Sequence, residues 1–447
     1  MENPMPFHML KKTVVSGAVL LTAACGLFSE EKIPLEGQRI SVLEGSGVLQ
    51  PDFKPGEIKI TVPAPVMNSS WSQNGGNSRH LMQNPYSDNK LKEEWSSSFG
   101  SGDSKRDFLI AAPVAAYKVV FAIDADGIVS AFRMDSGKRI WKKRLKPLIK
   151  DDQSTSMKGA GLAVMDKKVF ATTGFGGVFA LDMVTGKQLW RYDTGMPIRI
   201  APTAGHGVLF AQTIDNHLYA FNSADGSVLW DYKSVSENTT LVGGASPAYS
   251  PSQDVVIAAF SSGEIRAFKA STGSPLWGDV LVARRRTNSL SNINAIKANP
   301  VIDGDVVYAA GSSNIMVAID LRTGARIWEK EIGSTNMPWV AGKYLFVLSN
   351  NFDLLAMEAK SGKIIWNIKV PAGQDAEEKI GVSLNGPVLT NNRLLVATSS
   401  GYAFAISPYT GKILGFVTLD DGVEISPIVA GGYAFLTTKD ADLVAYK

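Results

Sequence analysis

The chain has 447 residues, 45% of them hydrophobic and 19% charged, with a formal net charge of +3. This is ordinary globular composition with enough apolar material for a large core, and so small a net charge gives no bulk drive toward nucleic acid or another polyanion. The one cysteine, Cys25, excludes an intrachain disulfide and a thiolate metal cluster, and the four histidines His8, His80, His206 and His217 lack zinc-ligand spacing.

Residues 1–24 read as an export signal. Lys11-Lys12 is a short basic region, and 13–24 is an apolar run too short to cross a bilayer as a helix. It ends Leu21-Thr22-Ala23-Ala24-Cys25. Small residues before a cysteine, after an apolar core, resemble a bacterial lipoprotein signal. That resemblance implies cleavage before Cys25, lipid on Cys25, and, with Gly26 rather than aspartate next, anchoring at the outer membrane. Thr22 departs from the usual apolar residue three places before the cysteine. The alternative is an ordinary signal peptide cut after small residues.

Residues 25–68 carry Pro34, Pro51, Pro55, Pro63 and Pro65 and read as an extended, largely unstructured tether. Within it, 40–43 and 58–62 are the stretches able to add short strands elsewhere. Ordered structure is expected over 69–447. It opens at Trp71-Ser72-Gln73-Asn74-Gly75-Gly76-Asn77, where Trp71 is placed to plug an apolar site and the glycine pair to make a close turn. Leu91-Lys92-Glu93-Glu94-Trp95 then looks like one strand of a repeat standing alone.

The repeat itself is clearest at Ala180-Leu181-Asp182-Met183-Val184-Thr185-Gly186-Lys187-Gln188-Leu189-Trp190: a strand end, a tight turn, and the next strand. It returns as Ala131…Gly137…Trp141, Ala220…Gly226…Trp230, Ala267…Gly273…Trp277, Ala318…Gly324…Trp328 and Ala356…Gly362…Trp366. A copy at Ala405…Gly411…Gly415 lacks the tryptophan, and Ala445-Tyr446-Lys447 is a half copy. Each unit also has an earlier half. A proline (Pro113, Pro202, Pro247, Pro300, Pro338, Pro387, Pro427) precedes a strand, and a second apolar strand such as Val119-Val120-Phe121 follows. Four short strands per 38 to 51 residues, the spacing of the alanines, is the pattern of a propeller blade. The count predicts an all-β, eight-bladed β-propeller. Its last blade takes its missing outer strand from the Trp95 segment, so the ring has no open inner edge. The small alanine is expected on a strand wedged near the axis, and each tryptophan between adjacent blades.

The Ala-Φ-Asp-x-x-Thr-Gly-Lys-x-Φ-Trp unit resembles the repeats of quinoprotein dehydrogenases. With the lipoprotein-like signal, the tether and the Trp-Ser-Gln-x-Gly-Gly start, the chain is similar to the BamB-type lipoproteins, the propeller subunit of the outer-membrane β-barrel assembly machinery. The resemblance implies a non-enzymatic scaffold on the periplasmic face of the outer membrane, monomeric within a hetero-complex. Its implied partners are the channel subunit's periplasmic domains and nascent outer-membrane proteins, with the membrane engaged through the lipid. It also implies a docking face on two long connections, 235–244 and 282–298. There, Leu241-Val242-Gly243 stands where that family often has Leu-Arg-Gly. Ala295 and Lys297 stand where it has an acidic pair, and Arg284-Arg285-Arg286 offers a replacement basic group. Read as residues alone, the arginine run is equally a solvated loop.

The alternative is a dehydrogenase using pyrroloquinoline quinone. Such enzymes stack the quinone against a vicinal disulfide and hold calcium with carboxylates. With one cysteine and short blade spacings, the sequence predicts no catalytic residues, no cofactor and no metal site. Recurring Asp182 and Asp320 read as turn caps.

Overall fold

The structure, a computed structural model, describes residues 49–88, 92–104, 107–148, 159–236, 241–282, 294–372 and 381–447. Cys25 and Arg284–Arg286 lie outside them. The regular structure of the described residues is strand throughout, arranged as eight four-stranded antiparallel sheets.

Seven sheets are continuous meanders covering 114–144, 159–193, 203–233, 248–280, 301–330, 339–369 and 384–418, numbered blades 1 to 7. Short connections decide the meander. Tyr117-Lys118, Asp166-Lys167, His206-Gly207 and Asn391-Asn392 each put two successive residues at positive φ, the type I′ geometry whose twist matches the flanking strands. Further along blades 2 and 5 an aspartate, Asp182 or Asp320, caps the turn: Asp182 Oδ1 accepts from Thr185 N at 2.8 Å and Thr185 Oγ1 at 2.7 Å, as the sequence indicated. Those bonds, the hydroxyl first, hold its carboxyl below the usual range.

Blade 8 joins the two ends. Ile428–Ala430, Tyr433–Thr437 and Asp442–Tyr446 supply its first three strands, and Glu93–Ser98 pairs with Asp442–Tyr446 as the fourth. Lys92 and Lys447 exchange both backbone hydrogen bonds, each 2.9 Å. First strands of neighbouring blades approach one another from blade 8 through blade 1 round to blade 7, so they line the axis.

The repeat's chemistry holds the blades together. In blades 1 to 6 and blade 8 the fourth-strand tryptophan lies over the turn glycine of the next blade and donates its Nε1–H to a carbonyl of that turn at 2.7 to 3.1 Å. At Gly186, φ is 68° and an added Cβ would come within 2.6 Å of the Trp141 ring, so glycine is required twice over. Blade 7 has Gly415 at this position, with open space beside it. The next blade's third and fourth strands are the two chain ends, with no turn between them to receive a tryptophan.

The alanine's place differs from the expectation. It lies on the third strand, away from the axis. In blade 1 it is opposite Phe121 on one side and Trp141 on the other. The same row recurs as Phe170–Ala180–Trp190 and Tyr308–Ala318–Trp328. The flanking rings meet across it at 5.9 to 6.1 Å. A larger residue there would separate rings whose contact is worth about 1 kcal/mol beyond their buried area.

Residues 49–88, ahead of Glu93–Ser98, are not free chain. Asp52 N donates to Ile364 O at 2.8 Å, Ile364 N donates to Asp52 Oδ2 at 2.7 Å, and Ile60 is buried. The part of the expected tether from residue 49 onward is thus packed along blade 6, because its apolar residues cover an outer strand that would otherwise be bare. Residues 68–88 then form a belt around the axis. Asn68 bonds blade 8, Trp71 blade 1, Ser72 blade 2, Ser78 blade 4, Arg79 blade 5, Pro85 blade 7, and Asp88 blade 8 again. Gln73 and Gln83 reach blades 3 and 6 with their side-chain amides. These bonds satisfy the axis-facing edges of the inner strands. Trp71, 3% exposed, plugs the floor against Trp339 with ring centroids 6.1 Å apart.

Candidate functional site

The residues just before each inner strand surround a bowl on the axis, with a volume near 380 Å³. Its floor is Trp71, Asn74 and Gly75 of the belt together with Trp339. His80 braces that floor from behind. Its Nδ1 meets Pro300 O at 2.7 Å, and complete burial lowers its pKa to about 4, the backbone bond opposing this in part.

The sequence candidates converge here. Val242 and Gly243 line the bowl, Leu241 and Ala295 line an adjoining crevice between blades, and Lys297 borders both. A side chain built at Gly243 would stand 3.6 Å from Lys297 Cε. Val242 is 42% exposed at the rim.

Reasoning from sequence missed Arg199 and Glu424, which also line the bowl. The signal was present: Arg199, Lys297 and Glu424 each stand three residues before the proline that precedes an inner strand, Pro202, Pro300 and Pro427. Ile110, Gly244 and Thr335 hold the same position before Pro113, Pro247 and Pro338 and also face the bowl. One repeat position thus writes the lining of the axial mouth.

The electrostatics are uneven. Glu424 on the blade 8 wall is paired with Lys439 at 2.9 Å. Lys297 and Arg199 on the other side have no ion pair among the described residues, and Arg199 Nε is buried without a partner. Lys297 meets solvent through the open mouth but is crowded by protein elsewhere. That desolvation lowers its pKa, and Glu424 acts weakly the other way. Among the described residues no group of three or more His, Cys, Asp or Glu is arranged to hold a metal ion. The one carboxylate of the lining is already occupied by Lys439. What the arrangement can do chemically is bind, through two cations without an ion pair among the described residues, set in a partly apolar wall.

A family model described as outer membrane protein assembly factor BamB matches residues 125–368. The BamB of Shewanella oneidensis is 27% identical over 354 residues, covering 78% of this chain and 87% of that protein. Among solved structures, BamB from Moraxella catarrhalis superposes with a TM-score of 0.65 at 17% identity, over 80% of this chain and 99% of that one. A quinohemoprotein alcohol dehydrogenase from Comamonas testosteroni reaches 0.63 at 14% identity, over 85% and 80%. Both structural likenesses show the fold alone, and it is a fold that enzymes and assembly factors share.

Proposed function

The chain belongs to the family of outer membrane protein assembly factor BamB, and from that premise we propose that it is a non-catalytic scaffold assisting the folding and insertion of β-barrel proteins into the outer membrane. It works at the periplasmic face, held by lipid on Cys25. Its fixed partner is the channel subunit of the assembly machinery, met through that subunit's periplasmic domains. Nascent barrel proteins are transient partners.

The observation that carries the docking reading is the grouping of Leu241, Val242, Gly243, Ala295 and Lys297 at one side of the axial mouth. An exposed apolar side chain beside unpaired cations is the composition of an interface patch that desolvates on contact and selects an acidic partner surface. Arg284, Arg285 and Arg286 belong to the connection that leads into Lys297 and extend this basic character in sequence. The rigid ring supplies the rest, because loops held on a closed sheet framework lose little entropy on docking.

The test is copurification from detergent-solubilised membranes. Val242→Glu combined with Lys297→Glu is expected to lower recovery of the channel subunit at least tenfold. Charge reversal at Arg284–Arg286 is expected to weaken it further. A Cys25→Ala chain is expected to leave the membrane fraction. Full recovery of the channel subunit with both sets of charge reversals removes these residues from the docking face.

A further inference from the structure

The bowl has features that docking of a folded partner does not use. At about 380 Å³ it lies in the size range of small-ligand pockets. Its floor is the paired Trp71 and Trp339, its wall includes Met337, and Phe108, 40% exposed, stands at its mouth.

The cations sit in the same hollow. Arg199 comes from the connection into blade 3 and Lys297 from the connection into blade 5, so ring curvature alone brings them to one cavity. Neither has an ion-pair partner among the described residues, and the orphaned Nε of Arg199 is a buried donor with nothing to donate to. No protein acceptor therefore holds the guanidinium through this atom, and its charge is left for an anion in the bowl to meet. The neutral amides of the wall are partly engaged within the protein and carry no charge to match an anion. Asn299 Oδ1 accepts from Ser246 N at 2.8 Å, Asn336 Nδ2 donates to Leu384 O at 3.0 Å, and Asn385 Nδ2 donates to Val423 O at 3.0 Å.

We propose that the axial bowl is a binding site for a carboxylate carried on an apolar body, with the carboxylate on Arg199 and Lys297 and the apolar part over Trp71, Trp339 and Met337. Arg199 supplies the planar, permanently charged fork that matches a carboxylate, and Lys297 adds a second donor. Two sources carry this chemistry: a free aryl or alkyl carboxylate, and the carboxyl end of a polypeptide with an apolar last residue. The proposal goes beyond the docking reading and does not need it, since binding is measured on the isolated chain.

The experiment is isothermal titration of the purified full chain with three probes: 3-phenylpropanoate, a tripeptide ending in leucine with a free carboxylate, and the same tripeptide as its carboxamide. Binding of both carboxylates, with the carboxamide at least ~10-fold weaker, assigns the site to the shared chemistry. Binding of the peptide acid alone assigns it to chain ends, and of 3-phenylpropanoate alone to small molecules. Arg199→Gln and Lys297→Gln are each expected to weaken the carboxylate ~10-fold or more while leaving the thermal melt unchanged. Arg199→Lys is expected to recover part of the loss. Absence of heat with both carboxylates, or equal affinity for acid and amide, overturns the proposal. The copurification test is separate, because it reads recovery of the channel subunit, and Arg199→Gln, which lies outside the docking set, tests the bowl alone.

Discussion

Trp95 is the residue on which closure of the ring can be tested most directly. It sits on Glu93–Ser98, the one outer strand not tied to its blade by a hairpin turn. It donates to Met134 O in blade 1 at 3.1 Å, covers Gly137, and stands 5.8 Å from the Phe435 ring. Truncating a fully buried aromatic costs about 3–5 kcal/mol, and Trp95 is half-buried, so Trp95→Ala is expected to cost about 3 kcal/mol. Trp95→Phe keeps a ring on Gly137 and loses one hydrogen bond, about 1 kcal/mol. The cost falls on the seam, because there the pairing of 93–98 with 442–446 and the Lys92–Lys447 exchange stand in place of a hairpin turn. Local opening should therefore become roughly a hundredfold more frequent in the alanine variant. Hydrogen exchange read by mass spectrometry is the assay: amides of 442–446 should exchange faster, with blades 3 to 5 unaffected. Unchanged protection at 442–446, or a uniform rise around the ring, would refute the idea that this strand and its tryptophan close the propeller.

Three further outcomes are expected. His80 is fully buried and neutral, with a pKa near 4 against the usual 6.5, so it contributes stability above pH 6.5 that is lost as pH falls through 4. Urea unfolding from pH 7.5 to 4.5 should show a slope worth up to about 3 kcal/mol that His80→Gln flattens, and an identical slope in the variant would exclude His80 as its source. Gly186→Ala and Gly195→Ala both place alanine at positive φ, 68° and 70°, but only the first meets a tryptophan ring. The second should cost about 1 kcal/mol and the first at least about 1 kcal/mol more, in thermal melts of the two variants side by side. Gly415→Trp should leave stability within about 0.5 kcal/mol, because no turn lies opposite to receive the ring, and a large gain would mean that a partner exists there.

Much of the fold was legible in the chain because its signals are short. A glycine at a positive-φ turn, an aspartate capping it and a tryptophan four residues on are all set by backbone sterics and local hydrogen bonds. They mark each blade wherever they recur. The lone Trp95 strand and the half copy at Ala445 were legible as two parts of one blade for the same reason. The alanine was expected too near the axis, since its smallness shows in sequence but the two rings that demand it, Phe121 and Trp141, lie on strands to either side.

The belt and the bowl were not legible in this way. Asn68 to Asp88 carries no repeat, and its meaning lies in partners on inner strands up to some 360 residues away, as in the Asn68–Val429 bond. The preparation of the site was visible only in part: Leu241, Val242, Gly243, Ala295 and Lys297 came from a resemblance, whereas Arg199 and Glu424 came from none. Sequence by itself determined the blade and its count, because each depends on residues a few positions apart, and closure followed because the two partial units at Trp95 and Ala445 add up to one blade. Tertiary structure alone decided what faces the axis. Residues 199, 297 and 424 become neighbours only when the curvature of the ring carries one position of each repeat to a common centre.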